Sequence, residues 1–508
     1  MELRDVILPI EIVVCLLVTW PLVRQLAFEP FRYKLPCKAA QRIALLIGYF
    51  AFIAAVAVFA PVLLHFGAAL ALGILLYERW RARPGYGRGS GLPPGSLGVV
   101  PRNHERDPYH FEKLIAKYGP IFKFNVEFHP YIYIASHKRA LKFLRENDDV
   151  LIGAAQPIST GIPKGFVRYM PAQTHTKYRR ILLSGISTDV IDDASPMILS
   201  AVRNKFLKIC EEASRSPGGG VLIDDKLREL IFPIVLEVFF GVRPDTPQFD
   251  QIESFFADID TRRETCGIED RRIRAMNDMS DWIRARIDEF ANDPDAAPSC
   301  FLKSLADRQD AAALDATVRG NWVAMVEFAT VDIIGLLQWL VKMLIDYPEW
   351  AERLRQDQGA HGDAPDWGED SLAGRIVKET LRLERSEFLT RKATQDVWFE
   401  GYRIPKDWSI RIGIRENNRD PETFDRPTEF DPDRFLGKEY SLEEYAPFGL
   451  FRHNCIGAAF ASTVGRIFVT ELGTGFDIEP NGEWTTQYVP PHWRPRAGFR
   501  LGLKARAA

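Results

Sequence analysis

The chain has 508 residues, 46% hydrophobic and 26% charged, with a formal net charge of −3. That is enough for one large core plus an appendage, and a balance so near neutral gives no sign of a nucleic-acid surface. Six cysteines (Cys15, Cys37, Cys210, Cys266, Cys300, Cys455) lie far apart with no CxxC pair and no His/Cys clustering, which argues against a disulfide framework and a zinc site and points to a reducing compartment.

The first stretch differs in kind from the rest. Ile7 to Phe28 is an apolar run interrupted by Pro9, Glu11, Pro21 and Arg24, and Ile43 to Tyr77 is a second with only His65 as a potentially charged residue. A span takes about 20 residues. The second run is long for one helix and slightly short for two, and Pro61 with Gly67 sits near its middle, where a hairpin would turn. The start is neither basic nor followed by a small-residue cleavage site, so it does not read as a signal peptide. Arg32, Lys34, Lys38 and Arg42 crowd the first connection, and Arg79, Arg81, Arg83 and Arg88 follow the second run. Placing both groups in the cytoplasm takes an even number of passes between them. That favours three spans, or one span and a re-entrant hairpin, with the N-terminus outside; a two-span anchor with the large domain outside is the alternative. Residues 1–88 are thus read as an anchor in the lipid bilayer, with the following domain on the cytoplasmic side. Residues 89–101 read as a Gly/Pro hinge, in which Pro93-Pro94 stiffens an otherwise flexible Gly89-Ser90-Gly91 segment.

From residue 102 to 508 the pattern is that of one mostly helical domain. Pro108 to Tyr118 reads as a helix stopped by Gly119. Pro120 to Phe124 and Tyr131 to Ile134 alternate as a hairpin, and Ser136 is placed to cap a helix through Leu144. Leu151 to Met170 is loop-like. His175 and Arg179, four apart on one helical face, can jointly hold a carboxylate. Asp189 to Arg308 reads as several helices with polar faces. Asn321 to Ile345 is a long helix apolar almost all round; Glu327 and Asp332 make a membrane span expensive there, so a buried central helix is expected. Glu379 and Arg382, three apart, share a face on which a guanidinium can be held bidentately. Pro447-Phe448-Gly449-Leu450-Phe451-Arg452-His453-Asn454-Cys455-Ile456-Gly457 then runs into a helical, small-residue segment, so Cys455 falls near a helix N-terminus, where the dipole favours a thiolate. Ala458, Ala459 and Ala461 leave room for a flat group, Phe448 can shield the sulfur, and His453 offers a donor.

With these residues the chain resembles the cytochrome P450 family, whose cysteine loop is written Phe-x-x-Gly-x-Arg/His-x-Cys-x-Gly. Phe448, His453, Cys455 and Gly457 match in register, and Pro447-Phe448-Gly449 matches the Pro-Phe-Gly that often opens the loop. The opening Tyr118-Gly119-Pro120-Ile121-Phe122, the Glu379-x-x-Arg382 pair and Phe430-Asp431-Pro432-Asp433-Arg434-Phe435 match as well. The resemblance implies the family's mainly α fold with a smaller β part. It also implies haem b (iron protoporphyrin IX) with Cys455 as metal ligand, His175, Arg179, Arg391 and His453 toward its propionates, and a buried triad of Glu379, Arg382 and Arg434. Phe451 departs from the family, which usually has glycine there; the ring must repack the loop or press on the haem. Along the long helix, Phe328-Ala329-Thr330-Val331-Asp332 occupies the phrase that ends in an acid and threonine, so the acid has become Val331 and the threonine Asp332. Asp332 and Thr330 are therefore candidate catalytic groups. Glu327, one turn before Val331, is either a proton relay or a paired structural carboxylate.

The implied function is membrane-bound oxidation of a lipophilic small molecule by dioxygen, with electrons from a separate redox partner, a reductase or ferredoxin. No flavin, ferredoxin or nicotinamide segment is visible here, and Arg452 or Arg466 are candidates to receive the partner. The departure at Val331-Asp332 keeps open a peroxygenase, or an isomerase or dehydratase that needs no outside electrons. A haem-binding membrane protein without turnover is a third reading.

Overall fold

The computed structural model describes residues 47–506, apart from 56–60, 99–106, 127–128, 154–161, 217–219, 260–267, 294–297, 362–365, 386–387, 483–484, 490–491 and 496–498. The apolar run from Ile7, the first basic cluster and hence the number of spans lie outside the described residues. Residues 47–55 are helical, and α1 (Pro61–Arg81) begins on a proline, which loses no hydrogen bond at a helix start. It continues through Gly67, so the chain does not turn there as expected. Phe66, Leu70 and Leu76 project from it into the open.

The Gly/Pro segment after α1 is docked, not loose. Lys123 is fully buried beneath it and donates from Nζ to Pro93 O at 2.7 Å and to Pro84 O at 3.3 Å. Burial pushes that amine down to about 8, with the Arg88 charge a further cause. Gly95 runs so close to the neighbouring strand, with φ 116°, that a Cβ would stand 2.0 Å from Lys123 O.

Next come α2 (His110–Tyr118), β1 (Ile121–Val126), β2 (His129–Ile134) and α3 (His137–Asn147). The first two strands pair antiparallel as their alternation predicts. Ser136 precedes α3 but does not cap it: at φ 71° its side chain makes no capping bond, and its N–H goes to Asn417 Oδ1 at 2.9 Å. The stretch read as a loop from Leu151 opens with a short strand, β3 (Leu151–Gly153).

The helical body comprises α4 (Ala172–Gly185), α5 (Thr188–Arg215), α6 (Ile223–Phe240), α7 (Pro247–Ile259), α8 (Ile268–Asn292), α9 (Phe301–Arg308), α10 (Ala316–Asp346), α11 (Pro348–His361) and α12 (Leu372–Thr380), with β4 (Val221–Leu222) before α6. The long helix α10 starts earlier than its apolar pattern because Asp315 caps it, accepting from Val318 N at 2.9 Å. It alone among the described helices is long and apolar enough to cross a membrane, yet Trp322 and Trp339 on it are fully enclosed, so it is the expected buried helix. Each such ring contributes on the order of 2–3 kcal/mol by leaving water. A turn of π-helix over Leu381–Arg385 follows α12.

The remaining elements are β5 (Phe388–Ala393), β6 (Val397–Phe399), β7 (Tyr402–Ile404), β8 (Ser409–Gly413), α13 (Ile414–Asn417), α14 (Ala458–Gly475), β9 (Phe476–Asn481), β10 (Thr486–Val489), β11 (His492–Pro495) and β12 (Arg500–Ala505). The largest sheet has the order β1-β2-β8-β5-β3, all antiparallel except β2 with β8. A three-stranded sheet (β4-β12-β9) and two hairpins complete the β part. One apolar core joins Val323, Leu337 and Leu340 of α10 to Val464, Phe468 and Leu472 of α14 and Phe206 of α5. The fold thereby holds the flank of α10 opposite the N-terminal end of α14.

Candidate active site

A cavity of ≈ 220 Å³ lies between α10 and the loop that leads into α14. The loop is shaped by its own backbone. Gly449, at φ 90°, donates to Ala446 O at 3.0 Å, and Cys455 N donates to Phe448 O at 2.7 Å. Only glycine takes such a φ freely. Cys455 opens onto the cavity three residues before α14, whose N-cap is Gly457, and Phe448 lines the same wall. Phe451 resolves the expected conflict by repacking: it accepts φ 59° and sets its ring against the sheet-side core that includes Leu450 and Leu389. It is not among the cavity-lining residues.

Behind the loop the expected triad is assembled. Arg382 grips Glu379 through Nε to Oε2 at 2.7 Å and Nη2 to Oε1 at 2.9 Å, and Arg434 Nε adds a bond to Oε1 at 3.0 Å. Asp431 N donates to the same carboxylate at 2.9 Å, and Arg382 also reaches Asn418 O, Pro427 O and Glu429 O. Charges buried with this many partners hold a specific geometry, whatever their net contribution. Asn418 extends the frame, its Oδ1 accepting from Ala446 N at 3.2 Å and from the His137 ring at 2.8 Å. Sequence reading missed Asn418, because an asparagine in a loop carries no signal of what it will reach.

One wall gathers cations and imidazoles. His175 and His453 stack with ring centroids 3.9 Å apart, although 278 positions separate them in sequence. Burial, then the Arg179 and Arg391 charges, hold His175 down to about 4; burial and Arg391 push His453 far below the usual imidazole range. Both rings are therefore neutral near pH 7, each with one N–H to give. Arg391 is buried, with its own pKa lowered to about 10 by burial first and the Arg168 charge next. The Nδ1 atoms of His175 and His453 and Nη2 of Arg391 are buried without a protein partner. Buried donors are rarely left so, and arginine charges beside two neutral imidazole donors call for an anion. Two carboxylates on a flat apolar ring satisfy that demand. Arg179 Nη2 is meanwhile steered by Asn454 Oδ1 at 2.6 Å, a contact the motif did not announce.

On the opposite wall, Met325, Phe328, Ala329, Asp332, Ile333 and Leu336 line the cavity, one continuous face of α10. Asp332 lies on this cavity-facing side of the helix, and Val331 is not among the lining residues. Thr330 departs from its expected part, being buried with its hydroxyl donating to Val326 O at 2.9 Å. Glu327 shows the second of its two alternatives, the paired carboxylate. It points into the protein and pairs with Arg272 of α8, Nη2 to Oε2 at 2.9 Å and Nη1 to Oε1 at 3.2 Å, the arrangement of a structural carboxylate. The two arginines considered for a redox partner are also engaged: Arg452 meets Asp148 at 3.1 Å, and Arg466 donates to Trp367 O at 2.7 Å and Thr463 Oγ1 at 2.9 Å.

Residues 95–490 match the family model for cytochrome P450. Abscisic acid 8'-hydroxylase 3 of Oryza sativa subsp. indica is 25% identical over 465 residues, covering 83% of this chain and 91% of the relative. Taxane 13-alpha-hydroxylase of Taxus cuspidata is 23% identical, covering 88% and 98%. A cyanobacterial CYP120A1 solved with retinoic acid bound superposes with a TM-score of 0.66 at 21% identity, covering 82% of this chain and 99% of that one. The cysteine loop, the triad behind it, the propionate-type wall and the matched model together give one conclusion: this chain belongs to the cytochrome P450 family, a haem-binding oxidoreductase of the monooxygenase type.

Proposed function

We propose that this protein is a membrane-anchored monooxygenase that oxidises a lipophilic small molecule, taking electrons from a separate reductase or ferredoxin. The observation that carries the reading is the meeting of Cys455, the propionate-type wall and the apolar face of α10 around one cavity. In this reading Cys455 would hold the iron of a bound haem as thiolate, Arg179 and Arg391 would neutralise its two propionates, and His175 and His453 would donate to them. When bound, haem supplies the iron at which dioxygen is activated. Ala329 gives the cavity wall a small side chain that would leave room for a flat group, Phe448 would shield the sulfur, and Phe166, stacked on Phe328 at 5.0 Å, adds an apolar wall to the chamber. The named activities of the plant relatives, hydroxylation of abscisic acid and of a taxane, support an apolar substrate.

Residues 1–88 serve as the anchor, 89–101 as its junction and 102–508 as the haem domain, held on the cytoplasmic side. Support comes from the open apolar flank of α1 and from its end, where Tyr77 and Trp80, and Trp80 and Tyr86 just beyond, meet at tilted and edge-to-face angles (5.8 Å and 4.6 Å between centroids) beside the basic residues, as at a bilayer surface.

Asp332 has the place from which a proton can be held or passed beside the reacting atoms, the part played by an alcohol in most of the family. The same carboxylate favours a second reading, in which peroxide replaces dioxygen and reductase, since one group can act as base and then as acid. Asp332→Asn is expected to lower turnover by about 10²–10⁴-fold while leaving haem content unchanged. Loss confined to reductase-driven turnover supports oxygen activation, and loss confined to peroxide-driven turnover supports the second reading. Unchanged turnover by both routes removes Asp332 from the mechanism.

A further inference from the structure

Four successive side chains before Cys455 suspend its loop between two parts of the fold. On the α4 side, the His453 ring stacks on His175 with centroids 3.9 Å apart, and Asn454 Oδ1 accepts from Arg179 Nη2 at 2.6 Å. On the sheet side, Phe451 packs on the core that holds Leu389 of β5 and Leu450, and Arg452 Nη1 meets Asp148 Oδ2 at 3.1 Å. Asp148 opens the 3₁₀ turn Asp148–Val150 after α3, and Val150 packs on the same core as Phe451. The Arg452 guanidinium also lies over the Phe451 ring, 5.3 Å from its centroid, so the two sheet-side tethers support each other.

The backbone shows what the ring has to overcome. Phe451 opens the 3₁₀ turn Phe451–His453 at φ 59°, a left-handed conformation that strains any residue with a Cβ and persists only where its surroundings hold it. Glycine would take that φ freely. The ring offsets the strain by packing on the sheet-side core, and it fixes the turn just before Cys455, whose N–H reaches back to Phe448 O at 2.7 Å. Without the ring, that turn is held on the sheet side by the Arg452 ion pair, whose arginine is half-exposed and which is correspondingly weak.

We infer that Phe451 is a positioning residue, whose ring braces the cysteine loop and keeps the Cys455 sulfur at the cavity wall. This rests on the reading of Cys455 as the thiolate ligand and adds what makes that ligation persist. With the ring removed, the sulfur leaves its place before the helices unfold.

The test is the lifetime of the red-shifted Soret band in the reduced carbonyl complex of the purified full-length holoprotein, held at a urea concentration well below the unfolding midpoint. Far-UV circular dichroism gives the midpoint separately. Phe451→Gly, which relieves the backbone but removes the ring, should shorten the lifetime about tenfold while the midpoint for loss of helix moves little. Phe451→Ala, which keeps the strain without the ring, should shorten it further, and Phe451→Tyr should keep the wild-type value. If Phe451→Gly retains or lengthens the lifetime, the ring is no brace and the inference is overturned. Lifetimes and midpoints that fall together in the variants also overturn it, since the ring then serves general packing alone. Should Phe451→Gly load no haem, Phe451→Leu decides: a shortened lifetime supports the brace, and a wild-type lifetime overturns it. A folded, haem-loaded wild-type protein without the band defeats the reading of Cys455 itself, and the inference with it.

Discussion

Glu327 and Arg272 offer a direct way to separate a proton relay from a structural ion pair. The two side chains are 9% and 2% exposed and joined by two hydrogen bonds, and Arg272 Nη1 also donates to Ile259 O, tying the end of α7 to α8 and α10. Truncating either partner strands a charge in a place with little water. That costs about 3–5 kcal/mol, whereas replacing both with apolar side chains of similar volume is close to neutral. Against a total stability on the order of 5–15 kcal/mol, each single loss is large. Glu327→Leu and Arg272→Met should thus each lower the urea midpoint sharply at unchanged slope, and the double variant should recover most of the loss. Midpoints followed through haem absorbance at equal haem loading provide the assay. Single variants with a wild-type midpoint but turnover reduced a hundredfold would refute the reasoning and return Glu327 to the proton path.

Glu379→Gln should yield little haem-loaded protein, because Arg382 and Arg434 both lose their anion; a wild-type ratio of haem to protein would sink that assignment. His137 gives a pH signature. Burial holds it down to about 4, below its usual 6.5, so the unfolded chain takes up the proton first and stability falls as pH drops from about 6.5 toward 4. The full effect is about 3 kcal/mol by the free energy of a pKa shift, and His137→Gln should flatten that part of the wild-type pH profile. An identical profile in the variant would show that His137 does not contribute.

The chemistry of the heart of the site was legible in sequence because its spacings are local. Cys455 with its glycines and Glu379 with Arg382 sit within one loop or one helical turn, and the residue types name the interaction. What escaped depends on where distant elements meet. Which side of the long helix faces the cavity depended on how that helix packs. Glu327 looked available as a relay because Arg272 is 55 residues away on another helix. Lys123 alternates like a surface lysine in its strand, yet the strand lies beneath the Gly/Pro segment, so an apparent hinge proves docked. Phe451 shows the reverse: a departure visible in sequence, whose outcome depended on whether the sheet-side core had room for its ring.

The central claim is that Cys455 ligates iron as a thiolate in the frame built by Glu379, Arg382 and Arg434. The absorbance spectrum of the reduced carbonyl complex tests it most directly. The wild-type protein should give the red-shifted Soret band of thiolate ligation, and Cys455→Ser should lose that band while Asp332→Asn keeps it. Retention of the band in Cys455→Ser, or its absence from correctly folded, haem-loaded wild-type protein, would contradict the account.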